Sequence, residues 1–477
     1  MKKLLFFAFA TFMGINVFAQ PTVGWESHWS GYTTDSRGVK WITILNDTSQ
    51  DVAWTVAFDG SQAHADISAV AVTTDGGVTW TSFDPVNLEN AVNMGISMVF
   101  PTDANTAYIA AFKRVQGSVG DQGLWKTTDG GNTWLRINTN SMYSDAASFP
   151  NLIYFFDDNN GFCQGDPVMG EFEMYTTTDA GATWTPISGA NIDNPLAGEY
   201  GYTNGYAAAG NTIWFTTNQG RIYRSTDQAQ TWTAFQTPLS DFGGQNDSGE
   251  LVFKDDNEGW ILRGNGDLFH STDGGATWTL MSPNGKGDYA GDIAYVPGID
   301  ALVISEADAN LSDYGSKISY DGGQNWEKIV FYKFESMPGF DNIVNIMQDG
   351  NIQHLGLGFR DENFGMSGGF SEQNNSNLGG LGIFVFNNNP DLGAVSTIAI
   401  EGLQVYPNPA NDIVNVTAEN NIQNISIVDL TGKEVIALNN IALNNTTVNI
   451  SNLDKGVYLM NIVDENDARQ TLKLVVK

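Results

Sequence analysis

The stretch TTDGGVTW, residues 73–80, decides the fold, because five variants of it follow. They are TTDGGNTW (127–134), TTDAGATW (177–184), STDQAQTW (225–232), STDGGATW (271–278) and SYDGGQNW (319–326). Their aspartates are Asp75, Asp129, Asp179, Asp227, Asp273 and Asp321, at a mean spacing of about 49 residues, and their tryptophans are Trp80, Trp134, Trp184, Trp232, Trp278 and Trp326. A near-constant period of that length marks a repeat in which each copy belongs to one supersecondary unit.

The residues of the octapeptide describe a hairpin turn. In GLWKTTDGGNTWLRI (123–137) alternating side chains flank a central Asp-Gly-Gly. The carboxylate accepts turn amides, glycine permits positive φ, and the Ser/Thr hydroxyls tie the two arms. Tryptophan packs beneath the turn and its indole N–H needs a nearby acceptor. Ala229 in place of the second glycine and Asn325 in place of threonine should weaken the fourth and sixth copies.

Each period also holds two earlier strands, as in PNLIYFFDDNNGFCQG (150–165) and GELVFKDDNEGWILRG (249–264). DDNNG (157–161) and DDNEG (255–259) then join first strands to second ones, as turns rather than calcium loops. Beyond the sixth copy, FDNIVNIMQDG (340–350), NIQHLGLGF (351–359) and GGLGIFVFN (379–387) read as three strands lacking a fourth. Residues 24–29, GWESHW, supply it, and pairing the chain's two ends closes a seventh unit. The fold expected is all-β: a seven-bladed β-propeller followed by a small immunoglobulin-like β-sandwich.

The octapeptide resembles the Asp-box, or BNR repeat, of sialidases, sortilin-type receptors, some glycoside hydrolases and propellers similar to photosystem II assembly factors. The resemblance runs over residues 22–390. It implies that the box joins the two outer strands of a blade, away from the ligand face, so that its aspartates and tryptophans are structural.

The last 77 residues, 401–477, lose the boxes and all tryptophan. VYPNPANDIVNV (405–416), ISIVDLTGKEV (425–435), VNISNLDKGVYLMNI (448–462) and TLKLVVK (471–477) belong to about seven short strands, the number of an immunoglobulin-like sandwich. PNPAND, DLTGKEV, LDKGVY and the basic-apolar end resemble the type A C-terminal sorting domain of the Bacteroidetes type IX secretion system. The resemblance implies the type IX machinery as a partner, passage through the outer membrane, and removal of the tail with release or surface attachment.

Residues 1–19, MKKLLFFAFATFMGINVFA, combine Lys2 and Lys3, an apolar stretch and small residues before Gln20, as a secretory signal peptide does. The division expected is a signal at 1–19, a propeller at 20–392, a linker at 393–400 and the sorting domain at 401–477. No other stretch is long and apolar enough for a transmembrane segment. With 22 Lys+Arg against 54 Asp+Glu and a formal charge of −32, nucleic acid and anionic membrane surfaces are excluded as partners. Ca²⁺ is the one cation this composition would suit, although no metal site is assigned and no cofactor is expected. Cys163, the only cysteine, excludes an internal disulfide and reads as core filler.

Loops joining second to third strands, and fourth strands to the next blade, share one face. That face is expected to carry His64, Arg114, Asp166, Glu306, Asp308 and Arg360, with Tyr143, Tyr200 and Tyr289 from the interblade loops. A sialidase needs three arginines and an Arg-Ile-Pro signature, and the signature is absent. A glycosidase needs paired carboxylates, for which Asp166 and Glu306 are the first choice. A lyase would need a base such as His64 or Tyr289. The reading preferred is a noncatalytic propeller binding an extracellular glycan or protein, with His64, Arg114, Tyr200, Tyr289 and Arg360 at the ligand. The enzyme alternative, a glycoside hydrolase or polysaccharide lyase, requires a deep central pocket with two convergent carboxylates of perturbed pKa.

Overall fold

The computed structural model describes residues 23–33, 37–59, 67–115, 117–139, 141–286, 290–305, 315–334, 353–370, 383–387, 400, 402–428, 434–439, 441–465 and 469–477. The chain divides into two compact units, one spanning Val23–Asn388 and the other containing Asn389–Lys477. Among the described residues no helix is long and apolar enough to cross a membrane.

The first unit is seven sheets in chain order, six of them four-stranded and antiparallel throughout. From inner to outer strand, the first sheet is Arg37–Ile44, Ala53–Asp59, Val70–Thr73 and Thr81–Phe83, and the second Gly95–Pro101, Ala107–Phe112, Gly123–Thr127 and Leu135–Arg136. The third is Pro150–Phe155, Gly161–Val168, Glu171–Thr177 and Thr185–Pro186, and the fourth Gly201–Ala209, Thr212–Thr217, Arg221–Ser225 and Thr233–Gln236. Gly249–Phe253, Gly259–Arg263, Leu268–Ser271 and Thr279–Leu280 form the fifth; Asp292–Val296, Ala301–Ser305, Ser316–Ser319 and Glu327–Lys328 form the sixth.

The seventh sheet closes the ring as the strand count requires: Gly24–His28 pairs antiparallel with Ile383–Asn387, outside Phe364–Phe370 and Gln353–Asp361. A fifth strand, Val330–Phe334, lies parallel to Gly24–His28 and was not expected. The second strand also differs from expectation. FDNIVNIMQDG lies outside the described residues, and Phe364–Phe370, read above as part of a long loop, is a strand. Its glycines misled the reading, yet they fit strand packing: Gly365 lies under the Phe359 ring and Gly368 against Val39.

The core follows the same geometry, with apolar clusters between successive sheets. Trp54, Val56, Val99 and Ile109 join the first sheet to the second, and Trp260, Leu262, Ile293 and Leu302 join the fifth to the sixth. Val39 and Ala53 meet Met366 and Ile383 to join the first to the seventh. Cys163 is buried in the cluster between the second and third sheets, as its apolar strand implies.

All six boxes repeat one hydrogen-bond pattern. In the second, the Asp129 carboxylate accepts from Thr127 Oγ1 (2.8 Å), Thr133 N (2.9 Å) and Thr133 Oγ1 (2.7 Å), while Gly131 N donates to Thr127 Oγ1 (2.9 Å). The worn copies keep the pattern: Asn325 donates its amide to Asp321 at 2.7 Å, and Asp227 retains Ser225 and Thr231. Four indoles bond within their own turn, from Trp80 to Gly77 O and from Trp232, Trp278 and Trp326 to the equivalent carbonyls; the indole N–H groups of Trp134 and Trp184 find no acceptor. The boxes also join blades. The carbonyl after the box aspartate accepts from the second strand of the preceding blade: Tyr108 Oη to Ala180 O (3.0 Å), Trp214 Nε1 to Gly274 O (3.0 Å) and Trp260 Nε1 to Gly322 O (3.2 Å).

In the second unit, the strand Ile413–Val428 serves two layers. Its first half lies between Gln404–Tyr406 and Leu443–Asn449, and its second half between Glu434–Leu438 and Gly456–Asp464, which continues to Arg469–Val476. Val414, Val416, Ile425, Ile427, Met460 and Leu474 fill the space between. Counting both halves of the long strand accounts for the seven strands read from the sequence.

Candidate functional site

Strand alternation sends successive side chains of an inner strand to the two faces of its blade, toward the preceding and the following blade, while the strand's own edge borders the centre of the ring. In Gly249–Phe253, Leu251 and Phe253 pack toward the fourth blade and Val252 toward the sixth, and Glu250 lies on the Val252 side at the border of the central space. The inner strands of all seven sheets contribute to one central channel of about 1100 Å³. Aromatic groups line much of it, including Trp41, Phe100, Tyr154, Phe156, Tyr206 and Phe359. The rings of Tyr154 and Tyr206 meet edge to face at 5.7 Å. Neither phenol hydroxyl has a hydrogen-bond partner among the described residues.

Two carboxyl groups enter this channel from neighbouring blades, Glu250 from the fifth sheet and Asp292 from the sixth. Glu250 is open to the channel yet ringed by protein. That burial, reinforced by the Asp292 charge and only partly offset by Lys40, pushes its pKa well above the usual carboxyl range. Burial likewise raises Asp292 to about 7, although its carboxylate accepts from Leu357 N at 2.7 Å and Ile293 N at 2.7 Å. The ammonium of Lys40 lies over the Trp41 ring at 4.0 Å.

The fourth inner strand is irregular where it borders the channel. Its register shifts between Gly201 and Tyr206, and Asn204 takes a positive φ of 54°. The bulged residues 202–205 project into the channel, and Tyr202 Oη donates to Asp241 Oδ1 at 2.5 Å. The legible signal was Asn204-Gly205 in the middle of a strand, a pair that disfavours regular pairing.

Residues 96–246 match the family model of the photosynthesis system II assembly factor YCF48, and residues 404–477 match that of the secretion system C-terminal sorting domain. No curated protein matches the chain. Among solved structures, YCF48 bound to D1 peptide is 16% identical, with 76% of this chain and 96% of that one covered, at a TM-score of 0.50. YCF48 from Cyanidioschyzon merolae is 14% identical over 76% of this chain and 98% of that one, at 0.47. PorZ, a surface component of the type-IX secretion system of Porphyromonas gingivalis, is 12% identical over 92% of this chain and 70% of that one, at 0.28. The first unit is a BNR-repeat propeller, and residues 404–477 form a tail that matches the secretion system C-terminal sorting domain. The tail marks the propeller for export to the cell surface or the medium.

The residues expected at the propeller's ligand face divide into three groups. His64, Tyr289, Glu306 and Asp308 lie outside the described residues. Asp166 is where it was expected, at the end of the third blade's second strand. It accepts from Asn151 Nδ2 (2.7 Å) and Gly201 N (3.1 Å), and burial raises it to about 6 against those bonds. It therefore ties the third blade to the fourth. Tyr200, 42% exposed, stands beside it with Tyr202 at 5.7 Å. Tyr143 is buried.

Arg360 is placed differently from the expectation. It belongs to the strand Gln353–Asp361, whose hairpin falls on the box side of the ring. Its guanidinium donates to Asp47 O, Gln50 O, Asp51 Oδ1 and Asp361 Oδ2 at 2.7–3.1 Å, pinning the seventh blade to the first. Five other arginines are held as firmly: Arg37 by Asp84, Arg136 by Gln122 O, Arg221 by Glu199 and Tyr223, Arg224 by Asp256 O and Arg263 by Asp247. Arg114 alone in the propeller has no hydrogen bond or ion pair among the described residues. Among the described residues no group of three or more His, Cys, Asp or Glu is placed to hold a metal. Asp157 and Asp255 cap their turns through the backbone N–H groups of Asn159 and Asn160, and of Asn257 and Glu258.

Proposed function

We propose that the exported propeller binds an extracellular glycan or polypeptide, and that the ligand enters the central channel rather than resting only on the loop face. The signal at 1–19 would start export and the sorting tail would complete it. One observation carries the reading: an aromatic channel in which two phenol hydroxyls have no partner among the described residues, so that a ligand can hydrogen-bond them without breaking a bond within the protein. A propeller of this fold, YCF48, is known with a D1 peptide bound, which makes a polypeptide the first class to try. The test is a thermal-shift and calorimetric screen of the purified protein against peptides and polysaccharides. Tyr154→Phe/Tyr206→Phe should weaken binding about tenfold without lowering the melting temperature. Unchanged affinity would move the site out of the channel.

A second reading is supported by Glu250 and Asp292 themselves, because two carboxyl groups with raised pKa in one pocket are what acid–base hydrolysis uses. They are not the pair chosen from sequence. Reducing ends released from a polysaccharide by the native protein, and not by Glu250→Gln, would favour this reading over simple binding.

A further inference from the structure

We infer that the channel recognises a basic side chain, the ammonium of lysine or the guanidinium of arginine, carried on an extended polypeptide. This rests on the channel being the ligand site.

Glu250 and Asp292 come from adjacent inner strands and face the same space. Among the described residues neither is held by a cationic side chain within hydrogen-bonding distance. The cations at the box-side rim are already taken. Lys254 binds Asp300 at 2.7 Å and Glu258 at 3.6 Å. Arg360 is turned onto Asp51 and Asp361. Lys40, the remaining cation of the lining, sits over the Trp41 ring. Asp47, Asp157 and Asp158 stand at the same rim, so the approach to the channel is acidic as well.

The apolar part of the wall favours the same class. Tyr154, Phe156 and Tyr206 border the channel, and aromatic rings attract cations most strongly where water is thinned out. The Tyr154 and Tyr206 hydroxyls can accept from an ammonium or guanidinium. A neutral sugar could donate its hydroxyls to the carboxyl groups but would bring no charge to balance theirs. An acidic polymer would be repelled. A basic side chain satisfies all three features, replacing the proton that the crowded carboxyl pair retains. Arginine, with a planar fork of donors, suits a carboxylate beside a phenol especially well.

The experiment is isothermal titration of the full chain with oligolysine, oligoarginine, oligoglutamate, spermidine and a neutral oligosaccharide. Because the protein carries a charge of −32, a control must separate the channel from general attraction. The double variant Glu250→Gln/Asp292→Asn removes the channel charges and keeps the shapes. Asp121→Asn/Glu419→Gln removes two charges from exposed positions elsewhere. Expected are binding of the basic peptides ahead of spermidine, at least about tenfold weakening in the channel variant, and little change in the control. Proton release on binding, read from buffers of different ionisation enthalpy, should disappear with the channel variant. Equal weakening by both variants, or no preference for basic over neutral ligands, overturns the inference. If the neutral sugar binds and the Tyr154→Phe/Tyr206→Phe variant loses it, the channel reading survives while the basic-ligand inference falls. Spermidine binding as tightly as the peptides would reject the polypeptide.

Discussion

At the scale of single residues, the two glycines of a box do different work. Gly130 and Gly131 both hold positive φ, 68° and 96°. A Cβ at Gly130 would meet nothing within 4 Å, whereas one at Gly131 would lie 2.6 Å from the Phe83 ring and 2.9 Å from Trp54. The first position therefore needs only the left-handed conformation; the second also needs the space in which the neighbouring blade packs. Gly130→Ala should cost about 1 kcal/mol, the left-handed penalty. Gly131→Ala adds overpacking and should cost about 2–4 kcal/mol. Urea unfolding of the two variants measures the difference, and equal losses would mean that the blade contact is slack. The fourth box shows the tolerated limit, with Gln228 at 55° and Ala229 at 66° and Ala229 buried against its neighbours.

At the scale of elements, the ring depends on contacts between blades that no single hairpin encodes. Trp25 is fully buried, donates to Ser316 Oγ at 2.7 Å and packs against His354, Phe359 and Phe386, so one strand holds the first and last parts of the propeller together. Trp25→Ala should cost about 3–5 kcal/mol and raise protease sensitivity near both ends of the ring. A milder substitution isolates the bridging bond. Trp214→Phe should keep the stack on Phe253, whose centroid is 3.7 Å away, and lose about 1 kcal/mol with the bond to Gly274 O. These elements also show what sequence could convey. The boxes were readable because Asp, Gly, Thr and Trp act within eight consecutive residues, and the closure because three strands demanded a fourth. Phe364–Phe370 was not readable, since its glycines suit a loop as well as a strand packed under Phe359 and Val39. Glu250 and Asp292 look like ordinary alternating strand residues, and only the closed ring brings them to one space. Asp166 was correctly placed on its face, but its bond to Gly201 N, which makes it a blade tie, joins residues 35 apart.

At the scale of the whole molecule, the tail and the charge lead to separate outcomes. Removing residues 404–477 should leave the propeller folded and retained in the periplasm, as fractionation of a type IX-competent host would show. The charge bears on stability through two opposing sets of carboxyl groups. In the boxes, hydrogen bonds from the turn hold the aspartates below their usual range; partial burial at Asp75, Asp227 and Asp321 opposes this and is outweighed. Their contribution is complete above the unfolded value near 4 and fades as pH falls through the lower folded values. Asp166 and Asp292 behave oppositely, with burial raising them to about 6 and about 7. Below about pH 4 they are protonated folded or unfolded; between about 4 and 7 the unfolded chain releases protons that the folded chain retains, so stability falls across that window. Repulsion among charges summing to −32 acts in the same direction as pH rises. The melting temperature should therefore peak near pH 4–5 and decline toward pH 8, with Asp292→Asn flattening the decline. Added salt should recover more of it at pH 8 than at pH 5, because screening acts on the repulsion and much less on the enclosed carboxyl groups. A melting temperature still climbing between pH 5 and 8 would mean that neither the enclosed acids nor the net charge governs this fold.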